Sequence, residues 1–97
     1  MEIIPVKILG YKKSQRYPIW RILQSAQRML EKEYPALRLE IKDVPTVDEI
    51  LLYTPVIAFP SLMIADQLVC VGRFPSKDEI IEWLKSAINE MEHMPTP

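Results

Sequence analysis

The chain has 97 residues, of which 48% are hydrophobic and 26% charged, with a formal net charge of −1. That is enough for one ordinary core, roughly 65% of the unfolded surface being buried at this size. The charge balance excludes a general affinity for nucleic acid or for an acidic membrane surface. A single cysteine, Cys70, excludes an internal disulfide and a cysteine-rich zinc site.

Such sparing use of thiols fits a reducing compartment. No apolar run approaches the roughly 20 residues of a membrane span. The start, Met1 to Pro5, lacks the basic region of a signal peptide. The expectation is a cytoplasmic protein. Nine prolines against two glycines lower the entropy of the unfolded chain and favour a stable fold.

The first apolar run ends at Gly10. Val6 to Leu9 reads as a buried strand, with Pro5 at its start, where a missing N–H does least harm. Tyr11 to Tyr17 is polar and basic and reads as a loop. A helix follows, with an apolar stripe at Ile19, Ile22, Leu23, Ala26, Met29 and Leu30. Pro18 fits only its first turn, and Pro35 stops it. Leu37, Leu39 and Ile41 alternate with Arg38, Glu40 and Lys42, a strand with one wet face at a sheet edge.

Thr46 and Glu49 form a capping-box pattern that opens a short helix to about Tyr53, ended by Pro55. Ser61–Ile64 and Leu68–Val71 read as strands of a hairpin turned by Ala65, Asp66 and Gln67. Ser76 and Glu79 form a second capping box. It opens a helix with apolar residues Ile80, Ile81, Trp83, Leu84, Ala87, Ile88 and Met91. Residues 1–92 make the domain, and 93–97 read as a flexible tail.

The order β-α-β-α-β-β-α predicts an α/β fold. Its first two strands should be parallel across a helical crossover and its last two should form a hairpin. A four-stranded mixed sheet with helices on both faces follows.

This arrangement resembles the minimal thioredoxin fold, and three local motifs sharpen the likeness. Ala58-Phe59-Pro60 stands directly before the third strand, where thioredoxin-like proteins place a cis-proline. Val69-Cys70-Val71-Gly72-Arg73-Phe74-Pro75-Ser76 leads into the last helix, and Val6-Lys7-Ile8-Leu9-Gly10 forms the first strand and its glycine. Together they resemble the small glutaredoxin-like proteins, also called small redox-active disulfide proteins, over residues 3–90. Those proteins carry C-x-x-C after the position of Gly10 and serve redox homeostasis. Here the same stretch reads Tyr11-Lys12-Lys13-Ser14-Gln15-Arg16-Tyr17-Pro18. Dithiol exchange needs one thiolate to attack and a second thiol to resolve the mixed disulfide. The resemblance therefore implies the scaffold and its groove without the redox activity.

A helix N-terminus carries unpaired N–H groups and a partial positive charge. With Lys12, Lys13, Arg16 and the Ser14 hydroxyl it makes an anion site suited to a carboxylate, a phosphate or the glycyl end of glutathione. The alternative is a solvated, solubilising loop. The resemblance implies that Pro60 exposes the backbone of Phe59 for pairing with an extended peptide or with glutathione. Tyr11, Tyr17, Trp20 and Phe59 are expected around one end of the sheet, either as a binding patch or as half-buried packing.

Cys70 lies in a strand with no basic neighbour and reads as an inert core residue. His93, alone in the tail, makes no metal site. No catalytic residue, metal or cofactor is expected. The favoured reading is a redox-inactive thioredoxin-like module. It binds a protein, a peptide or a small anion at Tyr11, Lys12, Lys13, Ser14, Arg16, Phe59 and Pro60. The alternative is a glutathione- or thiol-dependent redox protein that uses a substrate thiol or Cys70. A monomer or a homodimer would suit either reading.

Overall fold

The computed structural model describes residues 2–54 and 58–92. Its elements are β1 (Glu2–Leu9), α1 (Lys13–Leu30), β2 (Leu37–Val44), α2 (Val47–Ile50), β3 (Ser61–Ile64), β4 (Gln67–Val71) and α3 (Lys77–Glu92). One mixed sheet runs β2-β1-β3-β4. β1 pairs parallel with β2, from Glu2 opposite Leu37 to Leu9 opposite Val44. β1 and β4 both pair antiparallel with β3. This is the thioredoxin-like α/β architecture that the order of elements predicts, with β2 at a sheet edge.

Alternation along the strands sets two unequal cores. Ile4, Val6 and Ile8 of β1 face one side and pack with Ile19, Leu23, Ala26 and Leu30 of α1 and Ile80, Leu84 and Ile88 of α3. Leu9, Val44 and Met63 face the other side and close a smaller cluster with Ile50 of α2, flanked by Tyr53 and Phe59. Helices therefore cover both faces, two on one and the short α2 on the other. Each fully buried Leu or Ile contributes about 1.5–3 kcal/mol.

Several boundaries differ from the sequence reading. β1 begins at Glu2, so Pro5 lies inside a strand, opposite Glu40. It is tolerated because a strand residue aims its N–H and C=O the same way. The Pro5 carbonyl accepts from Ala65 N–H at 2.9 Å, at the turn where the β3 ladder ends, so the missing donor breaks no continuing ladder. α1 begins at Lys13, which puts Pro18 beyond the first turn and turns most of the expected loop into helix. The carbonyl that Pro18 leaves without its helical N–H is that of Ser14, an exposed residue.

Met29 is 50% exposed and does not belong to the buried stripe. α2 is a single turn, with turns continuing over 51–53. The hairpin turn has two residues, Ala65 and Asp66, at φ 51° and 66°, and β4 takes Gln67. Positive φ at both central residues is the form that matches strand twist. Pro55, His93 and the 93–97 tail lie outside the described residues. No described helix is long and apolar enough to cross a membrane.

Candidate functional site

β1 delivers the chain to the start of α1 through Gly10. The Gly10 N–H donates to Val44 O at 3.2 Å, which holds the connection against β2. A Cβ at Gly10 would lie 3.1 Å from Gln15 Cβ and 3.3 Å from Arg16 Cγ. A side chain there would push against the first turn of the helix.

Lys12 occupies the N-cap position in extended backbone, φ −114° and ψ 145°. An ammonium donates and cannot accept, so only the return half of a capping box forms: Lys12 N–H donates to Gln15 Oε1 at 3.2 Å. The first turn has no acidic residue. The positive end of α1 therefore adds to Lys12 and Lys13 with no carboxylate of its own turn to offset it.

Six of the seven expected site residues divide into two groups around this helix start. Tyr11, Lys12, Phe59 and Pro60 form the first. The Tyr11 ring meets Phe59 edge-on, with centroids 5.2 Å apart at 66°, and the Lys12 ammonium lies 5.4 Å from the Tyr11 centroid. The Phe59–Pro60 peptide is cis. The segment is fixed from both sides: Ser61 Oγ donates to Ala58 O at 2.6 Å, and Gly72 N–H donates to Pro60 O at 2.9 Å. Phe59 is half-buried against the smaller core, whereas Tyr11 is 47% exposed.

Lys13 and Arg16 belong to the second group, and they turn toward β2. Arg16 Nη1 donates to Asp43 Oδ2 at 3.0 Å, and Trp20 Nε1 donates to Asp43 Oδ1 at 3.1 Å. Arg16 Nε is hidden and makes no hydrogen bond within the protein. With Tyr17 and Arg21 these residues line an open groove of about 550 Å³.

Tyr17 and Trp20 therefore do not join Tyr11 and Phe59, as the sequence reading expects, but wall this groove. Ser14 lies exposed on the first turn of α1 and lines neither group. Sequence reasoning missed Asp43. Its signal is parity: Leu37, Leu39, Ile41 and Asp43 share one face of β2, so a carboxylate stands where the alternation calls for an apolar residue.

Cys70 is 4% exposed in β4, and its Sγ donates to Arg73 O at 3.3 Å. Burial pushes its thiol pKa up, against a smaller opposing pull from Arg73. At neutral pH it is a thiol rather than a thiolate, the wrong form for a nucleophile. Just beyond it, Glu79 accepts from Arg73 in a fork at 2.9 and 2.6 Å. Glu79 also accepts from Ser76 N–H at 3.0 Å, while Ser76 Oγ accepts from Glu79 N–H at 3.2 Å. The Arg73 guanidinium, followed by the Ser76 N–H, lowers the Glu79 carboxyl pKa to about 2.

No curated protein matches the chain. Residues 21–85 match the family described as thioredoxin domain. The match begins inside α1, after the basic segment, and takes in Phe59, Pro60, Cys70 and the Gly72–Ser76 connection. It spans more than half of the chain and takes in β2, β3 and β4, with β1 lying before it, and on these grounds the chain belongs to the thioredoxin domain family.

Proposed function

We propose that the protein is a redox-inactive thioredoxin-like module. It receives a protein or peptide segment, or a small anion such as glutathione, at the surface made by Tyr11, Lys12, Phe59 and Pro60. The observation that carries this reading is the Tyr11–Phe59 contact beneath the Lys12 ammonium. A partly exposed aromatic pair with a cation at its rim suits an extended chain bearing an apolar side chain and a carboxylate. The position that carries C-x-x-C in the small glutaredoxin-like proteins holds no thiol here, and Cys70 is buried. Both weigh against the thiol-dependent alternative, which needs an accessible nucleophile.

The test is an amide NMR titration of the labelled protein with reduced glutathione and with a pool of short unstructured peptides. Saturable shifts at Tyr11, Lys12, Phe59 and Ser61 are expected. Phe59→Ala should weaken the response about tenfold, or about 1.4 kcal/mol. A titration that moves none of these amides would sink the reading.

A further inference from the structure

The groove on the β2 side of α1 contains neither Tyr11, Lys12, Phe59 nor Pro60, so what it does is independent of the function proposed above. Two rows of side chains, each spaced i, i+4, i+8, run along one flank of the helix. Lys13, Tyr17 and Arg21 form the outer row, and Arg16, Trp20 and Gln24 form the inner row. Eight residues at the helical rise give a trough about 12 Å long between Lys13 and Arg21. Asp43 of β2 closes its side.

The charges in this trough do not balance. Three cations, Lys13, Arg16 and Arg21, face one carboxylate, Asp43. Both oxygens of Asp43 are already engaged, one by Arg16 and one by Trp20. Arg21 lies over the Tyr17 ring at 5.9 Å from its centroid. Lys13 and Arg21 thus remain as excess positive charge at the two ends.

Between them lie two aromatic rings. Tyr17 is 63% exposed, so one face of its ring is open to a ligand. Trp20 is half-buried, and the bond from its indole N–H to Asp43 holds it in place. The volume of about 550 Å³ lies within the range of small-molecule sites.

We infer that this trough is a second binding site, for a small planar aromatic anion. A ring would lie against Tyr17 and Trp20, and its phosphate or carboxylate would meet Lys13 or Arg21. Both parts of the ligand are required. An anion alone would meet two exposed cations in high-dielectric surroundings, and a ring alone would leave the excess charge unanswered.

Four compounds separate these contributions in an NMR titration read at the Trp20 indole N–H: phenyl phosphate, adenosine monophosphate, inorganic phosphate and phenol. At least one of the two aromatic phosphates should shift that signal saturably, about tenfold more tightly than phosphate or phenol. Which of them binds more tightly tells a nucleotide from a simple aromatic acid. The Lys13→Ala/Arg21→Ala double variant changes two exposed side chains. It should weaken binding at least about tenfold while the dispersion of the spectrum stays as it was. Phe59→Ala should leave this binding unchanged.

Three outcomes would overturn the inference. One is the absence of a saturable shift with both aromatic phosphates. Another is inorganic phosphate binding as tightly as phenyl phosphate. The last is a double variant that binds like the parent.

Discussion

Twice in this chain a strand ends at a glycine and leads into a long helix, and the two junctions are built on opposite principles. At the β4–α3 junction every local rule is met. Ser76 caps the helix, Glu79 returns the bond, Asp78 and Glu79 put negative charge in the first turn, and Arg73 grips Glu79 through both oxygens. At the β1–α1 junction the backbone of the capping residue is nearly the same as at Thr46 (φ −114° and ψ 145°, against −107° and 144°). Thr46 caps its helix and Lys12 cannot. Cations gather where the dipole favours anions. Local rules relaxed at one site and kept at its counterpart support the proposal that the first is the binding end of the molecule.

This contrast can be probed by substitution, beginning with the largest effect. Gly72→Ala strikes the satisfied junction at its hinge. Gly72 has φ +72°, and a Cβ there would lie 3.1 Å from Ala58 Cβ. The left-handed conformation alone costs about 1–2 kcal/mol for a residue with a Cβ, and the crowding adds to it. The urea midpoint should fall with the slope unchanged.

Next come two changes of opposite sign. Ser76→Ala removes a working cap and should cost about 1 kcal/mol. Lys12→Asp supplies one where the backbone already has cap geometry and should gain a similar amount. The same Lys12→Asp change should abolish anion binding at the Tyr11 surface. If it fails to stabilise, the helix start is not held in the unfavourable electrostatic state described above.

The smallest effect concerns the exposed Arg73–Glu79 fork. The folded carboxyl titrates at about 2, below the roughly 4.3 of an unperturbed glutamate. Its contribution is therefore complete above the unfolded value and fades as pH falls toward 2. Acid unfolding of Glu79→Gln should show a shallower slope in that window than the parent. Solvent screening keeps the difference small.

The same contrast explains what could be read from the sequence. The α3 start was legible because a capping box is a local signal, complete within four residues. The sheet was legible from period-2 alternation, and the resemblance to thioredoxin-like proteins rested on short motifs around β1, β3 and β4.

The α1 start was not legible. Its cap is a lysine, and Pro18 argues for a boundary that the helix overrides, because an exposed carbonyl at Ser14 is cheap to leave outside the ladder. The two-part site was hidden for another reason. Tyr11 and Tyr17 look adjacent in a loop, but once residues 13–17 coil into helix they point to different sides. Asp43 joins the site only through pairing of β2 with β1, a contact between distant parts of the chain.

The topology also has a consequence for synthesis. β1 lies inside the sheet and is the first of its four strands to leave the ribosome. β2 can cover one of its edges early, but Val6–Leu9 also pairs with Ser61–Ile64. About fifty residues separate the two, and translation at roughly 5–20 residues per second takes several seconds to deliver them. During that interval the nascent chain carries an apolar strand with an open hydrogen-bonding edge, a template for aggregation. A ribosome pausing between Val44 and Ser61 would prolong it.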